Sequence, residues 1–328
     1  MKSVTFSFRT ETALFSLAFG GLPLREQAFK GAMRYWYRAF CASAYNLKSL
    51  AHKESQIFGS SGRQGQATRG VRLQLIRPNV LPQEISPQPH KERVKPLRAL
   101  PARHEFQLVL SQPHSMRDED FLKACAALWL AATIGGFGRR SRRGAGGVRV
   151  ISISGSYQLN LPVIHQQWSS DELKNALSAG LIEARKILFE GGKNIETPNQ
   201  LRGDIPQLVS GKDGSHIIIS DLGPSSEAEA RAKLMLKLRQ FKNQIFGLPL
   251  KINQGENGAQ AERKERFSRE GSKRYASPVW IRLIELKSGW TMIVTLLLPL
   301  PRVKTANRDK LDEFLAALKQ NRKEVAIP

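Results

Sequence analysis

The spacing of apolar residues changes period repeatedly along this chain, and that alternation constrains its fold more than any other feature. Val4, Phe6 and Phe8 alternate with polar residues, the period-two mark of a strand with one buried face. From about Arg25 to Lys48 the period lengthens. Phe29, Met33, Trp36 and Phe40 form one apolar stripe, as on an amphipathic helix. Residues 52–70 are polar and glycine-bearing and read as a loop. Val71, Leu73 and Leu75 alternate as a strand again, and Phe106 to Leu110 follows as another. Asp118, Glu119 and Asp120 then open a helix to about Ile134, where their charge complements the helix dipole. A strand at Val148 to Ser154 closes the first half.

The second half repeats the idiom. Helices are predicted over Glu172–Phe189 and Glu227–Phe241, with a strand between them at His216–Ser220 whose buried residues are Ile217, Ile218 and Ile219. Val279–Leu286 and Thr291–Leu298 are β-rich segments joined by Lys287-Ser288-Gly289, the pattern of a hairpin. Gly255–Ser277 reads as a mobile basic loop and Arg308–Lys319 as a last helix. This is an α+β chain of two domains, residues 1–165 and 166–328, each a sheet backed by helices on a split βαβ, ferredoxin-like plan. Residues 78–101 hold six prolines and many charges, a composition suited to an exposed insertion rather than a packed element.

Charge narrows the function. The chain of 328 residues carries a net charge of +23. The excess is uneven, with 24 Lys/Arg against 9 Asp/Glu in residues 1–165 and 27 against 19 in the remainder. Such a balance points to nucleic acid or an anionic membrane surface, and to the first half as the anion-binding face. No apolar leader precedes the first strand, and the longest apolar run, Met292–Leu300, is too short to span a bilayer. A cytoplasmic location is expected. Cys41 and Cys125 lie in apolar helical patterns and read as buried thiols, and no disulfide scaffold, zinc site or other cofactor is expected.

Two constellations carry the anion chemistry. On the first helix Lys30, Arg34 and Arg38 fall four residues apart, within an arc of about 80° on one face, which suits either a bound anion or a solvated cationic face. Between the second predicted helix and the strand at Val148 lies Gly135-Gly136-Phe137-Gly138-Arg139-Arg140-Ser141-Arg142-Arg143-Gly144-Ala145-Gly146-Gly147. It holds six glycines, four arginines and no acid. Glycine permits positive φ and close approach of the backbone to a ligand, and the guanidinium fork suits phosphate. No Gly-Lys-Ser/Thr ends the loop, and a third glycine of the dinucleotide fingerprint is missing. An extended phosphodiester backbone remains as the ligand. The segment Gly59–Gln66 adds Arg63, with Arg69 just beyond it, in a composition compatible either with ordering on a ligand or with simple mobility. Catalytic signals are sparse. None of the six histidines forms a metal-spaced pair, no Gly-x-Ser-x-Gly elbow occurs, and the acids Asp204, Asp213 and Asp221 are scattered. A metal-free ribonuclease using one histidine stays as the alternative.

Phe29-Lys30-Gly31-Ala32-Met33-Arg34-Tyr35-Trp36-Tyr37-Arg38-Ala39 resembles the K-G-x-x-R-[FY]-W-x-R-A helix of RAMP-superfamily CRISPR proteins, in particular the first-numbered RAMP subunit of type III-B (Cmr) effector complexes. Ile57-Phe58-Gly59-Ser60, the glycine-arginine loop, Phe246-Gly247-Leu248-Pro249 and Arg274-Tyr275-Ala276-Ser277-Pro278 are similar to further segments of that family, in the same order. Ala145 stands where the family often has an aromatic residue, and Tyr275 where it often has arginine. The resemblance implies tandem ferredoxin-like (RRM-like) RAMP domains in a non-catalytic subunit. It implies that this subunit binds guide RNA (crRNA) near its 3′ end, caps the complex beside other Cmr subunits and meets target RNA. Lys30, Arg34 and Arg38 become guide-backbone contacts, Arg139, Arg140, Arg142 and Arg143 the loop's anion contacts, and Gly136, Gly138 and Ser141 further RNA-binding positions of the same loop. Trp36 is expected to pack its helix against the sheet. The alternative within the superfamily is an endoribonuclease that processes guide precursors.

Overall fold

The computed structural model describes residues 2–15, 25–60, 69–76, 80–189, 206–210, 214–240, 279–298 and 322–328, together with Glu313 and Ala316. In chain order the first half contains β1 (Ser3–Thr10), β2 (Leu14–Phe15), α1 (Glu26–Cys41), α2 (Leu47–Phe58), β3 (Arg72–Ile76), β4 (Gln83–Ile85), β5 (Leu97–Leu100), β6 (Glu105–Ser111), α3 (Asp118–Thr133) and β7 (Val148–Gly155). The second half contains α4 (Ser170–Leu188), β8 (His216–Gly223), α5 (Glu227–Gln240), β9 (Val279–Leu286), β10 (Gly289–Leu296) and β11 (Arg322–Glu324).

The first main sheet has the order β3-β6-β1-β7, every neighbour antiparallel. Read along the chain, its strands with α1 and α3 run β-α-β-β-α-β, and α2 is added after α1. The first and third strands lie at the centre, which is the ferredoxin-like arrangement. The period-two alternation of β1 places Val4, Phe6 and Phe8 opposite Leu110, Leu108 and Phe106 of β6, all buried beneath α1 and α3. Phe29 of α1 meets Phe106 at 5.7 Å between ring centroids, fixing the helix to the sheet. The second main sheet, β11-β8-β10-β9, repeats the same strand order with the same antiparallel pairing. β9, β10 and the middle of β8 are buried on both faces. Ile218 packs with Ala230, Leu234 and Leu238 of α5, while Ile217 and Ile219 join the core shared with α4 and the first half. The α+β, tandem ferredoxin-like fold is therefore as expected.

α3 is buried along almost its whole length, which a helix flanked by elements of both halves requires. On its α4 side a Cβ at Gly180 would stand 2.2 Å from the Trp129 ring, so glycine there lets the two helices close.

Three expectations are corrected. The first helix ends at Cys41, and residues 52–58 belong to α2 rather than to a loop. Asn46 caps α2 by accepting from the Ser49 backbone N–H at 2.8 Å. Its inward face is Leu50, Glu54, Ile57 and Phe58, and the acid within that stripe hides the helical period. The proline-rich stretch is not simply an exposed insertion. β4 and β5 form a three-stranded sheet with β2, in which Ala99 and Leu100 are fully buried. The anticipated loop 255–277 lies outside the described residues, as do the segments 246–249 and 274–278. Of the last helix only Glu313 and Ala316 are described, both helical.

Candidate nucleic-acid interface

The glycine-arginine loop runs from the end of α3 to the start of β7 and is threaded between the two halves. Its backbone donates from Arg139 to Phe15 O (2.7 Å), from Gly146 to Ala13 O (3.0 Å) and from Gly144 to Ile281 O of β9 (2.8 Å). Phe137 N–H donates to Gly146 O at 2.9 Å, closing the loop on itself. These approaches explain the glycines. Gly138 and Gly146 adopt φ of +78° and +66°, and a Cβ would stand 2.2 Å from Phe15 O and 1.8 Å from Phe137 O respectively. A Cβ on Gly135 would enter the Trp36 indole, 2.2 Å from Nε1. Gly135, Gly136, Gly144, Gly146 and Gly147 are all buried, and only Gly138 of the six is exposed. Sequence reading gave the glycines a ligand to approach, whereas the approach the structure shows is to the chain's own backbone.

That rigid frame presents the arginines. Arg140 sits at a left-handed φ of 61°, and Ser141–Arg143 form one 3-10 turn. Arg139 is exposed, while Arg140, Ser141, Arg142 and Arg143 are half-buried. Arg140 donates to Pro87 O at 3.1 Å, which ties the loop to the proline-rich segment. Arg142 lies over the Trp280 ring at 4.5 Å and the Tyr35 ring at 5.3 Å, and Trp280 Nε1–H donates to the Tyr35 hydroxyl at 3.1 Å. Burial depresses the proton affinity of Arg140, with Arg231 and Arg139 adding repulsion. Burial pushes Arg143 down to about 10, with Arg140 adding to the effect. Arg142 is also lowered by burial, and Tyr35 opposes the shift. Arginine keeps its proton near neutrality, so Arg140, Arg142 and Arg143 stay charged in a half-buried setting.

The α1 cations are placed differently. Lys30 Nζ donates to Val71 O at 3.0 Å. Arg34 donates to Glu54 at 3.0 Å and also to Gly59 O. Arg38 donates to both Glu54 oxygens at 3.1 and 3.2 Å. Lys30 and Arg34 thus fasten α1 to the two ends of the segment between α2 and β3, and Glu54 neutralises part of the ladder. Burial lowers Lys30, with Arg34 contributing. Arg69 is exposed, and Arg63 lies outside the described residues. The two constellations meet through Tyr35. Burial raises its hydroxyl, while Arg142 and, more weakly, Arg38 act on it in the opposite sense. Glu54, Tyr35 and Trp280 were not singled out by sequence reading. Tyr35 lay in plain view in the α1 motif, whereas nothing local marks Glu54 or Trp280.

Trp36 is fully buried, as expected, but its indole faces the second half as well, 5.3 Å from Trp280 of β9. Among the described residues no group of three or more His, Cys, Asp or Glu could hold a metal ion. Among them, too, no helix is long and apolar enough to cross a membrane.

The chain thus has two ferredoxin-like units joined around a glycine-arginine loop, and its residues 5–149 match the model of the RAMP superfamily. The chain is similar to the Cmr1 subunits of CRISPR systems. It is 25% identical over 291 residues to the CRISPR system Cmr subunit Cmr1-1 of Pyrococcus furiosus, covering 80% of this chain and 77% of that one. It is also 25% identical over 148 residues to Cmr1-2 of the same organism, covering 37% of this chain and 79% of that one. In fold it is similar to the crystal structure of apo Cmr1 from Pyrococcus furiosus, with a TM-score of 0.60 and 20% identity over 99% of both chains. A chain of the type III-B Cmr-β complex bound to cognate target RNA shares the fold at a TM-score of 0.58 and 11% identity, over 97% of this chain and 99% of that one.

Proposed function

We propose that this chain is a non-catalytic subunit of a type III-B CRISPR (Cmr) effector complex in the cytoplasm. Residues 1–165 and 166–328 act as its two RAMP domains. It binds the guide RNA (crRNA) near its 3′ end, caps the filament of other Cmr subunits and lies along the path of target RNA. Similarity to Cmr1-1 over most of the chain supports the assembly. The observation that carries the RNA reading is the arginine loop. Its backbone is pinned to both halves, Arg139 is exposed, and Arg231 and Arg139 add repulsion to the burial of Arg140. Such a cluster is completed by phosphates.

Arg139→Ala is the clean test, because Arg140 carries a left-handed φ and the bond to Pro87 O. With guide-length single-stranded RNA, the substitution weakens binding and flattens the slope of log affinity against log salt by about 0.7. In a reconstituted complex it exposes the guide's 3′ end to nuclease. Equal affinity and equal slope for the two proteins remove the loop from the interface.

A further inference from the structure

Gly31 stands in the middle of α1, where glycine costs folding free energy relative to alanine. A helix-interior glycine normally repays that cost through close packing. Among the described residues that packing is absent. A Cβ built on Gly31 meets nothing within 4 Å, and the residue is exposed. The contrast with Gly135, Gly138 and Gly146 is sharp, since each of those would drive a Cβ into a neighbour. The described residues therefore give no reason for glycine at this position. Its place on the helix supplies one. At about 100° per residue Gly31 lies within about 20° of Arg38 along the helix surface and about 60° from Arg34. Both guanidiniums are partly exposed, and Glu54 holds them in place. The helix thus has a bare stretch of backbone in line with a fixed cation.

We infer that Gly31 is the point at which a bound RNA backbone comes closest to α1, with its sugar-phosphate chain lying on the bare helix surface beside Arg38. This rests on the RNA-binding reading proposed above. The absent side chain is the specificity element, because any Cβ there stands where a ribose or phosphate would lie. A protein neighbour could use the same bare surface, but the adjoining guanidiniums favour a polyanion.

The experiment uses the full chain with Gly31→Ala and Gly31→Gln, guide-length single-stranded RNA, and thermal melting of each protein. With nothing nearby to strike, both variants melt at or above the wild-type temperature, since each replaces glycine by a better helix former. RNA affinity moves the opposite way, falling severalfold for alanine and about tenfold or more for glutamine. A purely structural role cannot raise melting and lower affinity together. Wild-type affinity in Gly31→Gln overturns the inference while leaving the arginine loop's role standing. Wild-type RNA affinity with failed assembly into the complex overturns it in favour of a protein contact. A wild-type chain that binds no RNA overturns both this inference and the reading on which it rests. If Gly31→Gln fails to fold, the alanine variant decides alone, and unchanged affinity there counts against the inference.

Discussion

Arg38 donates to both carboxylate oxygens of Glu54, at 3.1 and 3.2 Å, while Arg34 donates to one of the same oxygens at 3.0 Å. One largely buried acid on α2 therefore holds two cations of α1 that the sequence placed on a phosphate-binding face. The arrangement fixes the guanidiniums and cancels part of their charge.

Glu54→Gln keeps the shape and an accepting oxygen but removes the charge. Fully buried pairs cost about 3–5 kcal/mol when one partner is removed. The arginines here are 32% and 40% exposed, and solvent screening reduces the loss to about 1–2 kcal/mol. Denaturant unfolding measures it. RNA affinity should rise at the same time, since the interface gains net positive charge. Weaker RNA binding by a folded Glu54→Gln protein would show that the carboxylate orients the arginines more than it masks them.

Gly146→Ala tests whether the loop's glycines serve its own frame. A Cβ there would lie 1.8 Å from Phe137 O, at a φ of +66°. The backbone conformation alone costs about 1–2 kcal/mol for a non-glycine residue, and relief of the clash must open the bond from Phe137 N–H to Gly146 O. We expect a loss of at least about 2 kcal/mol in equilibrium unfolding. A melting curve matching the wild type would mean that the loop's path is set elsewhere.

How far the sequence could be read follows from what is local. β1, β6, β8 and the β9–β10 hairpin were legible because one residue in two or a continuous apolar run is buried. The stripe of α1 was legible for the same reason. α2 was not, because Glu54 interrupts its apolar face and its partners Arg34 and Arg38 lie on another helix. The small sheet formed by β2, β4 and β5 was hidden by prolines and charge, and its burial depends on strands far apart in the chain. At the candidate interface, the arginines were visible as a run without acids. Their setting was not, because Arg142 rests on Trp280, far along the chain. The glycines were seen, but the approaches they allow within the chain were not, since a close approach to backbone and a close approach to a ligand leave the same mark in sequence.

Glu11 supplies a third prediction, at the junction of the halves. Arg149 clasps its carboxylate with two bonds of 2.8 and 2.9 Å, and the Glu285 backbone N–H donates to it at 2.9 Å. Glu11 and Arg149 are 3% and 2% exposed. Beside them Arg282 is pushed down to about 10 by burial, which Glu11 opposes. Glu11→Ala strands two buried cations and should cost about 3–5 kcal/mol. The loss should appear as one cooperative transition, because a single apolar core spans both halves. Separate unfolding of the two halves would show that the junction is not what couples them.

The two thiols give the pH dependence. Cys41 and Cys125 are fully buried, and burial holds both well above the ordinary thiol value of 9.0. The reactive thiolate is therefore scarce in the native chain, and alkylation at mildly alkaline pH should label both residues only after unfolding. The same shifts act on stability. In the folded chain the thiols keep their protons above pH 9, whereas in the unfolded chain they release them. Their contribution is complete below the unfolded value and declines as pH rises beyond it, by at most about 1.4 kcal/mol per pH unit for each thiol. Cys41→Ser with Cys125→Ser removes this slope while also placing two hydroxyls in an apolar core. Unfolding by denaturant at a series of pH values from neutral to above 9, for wild type and double variant, therefore separates the two effects. A constant offset between the proteins reports the cost of the hydroxyls, and a gap that narrows above pH 9 reports the thiols. Rapid labelling of Cys41 or Cys125 in the native protein would instead show that its helix opens to solvent without global unfolding.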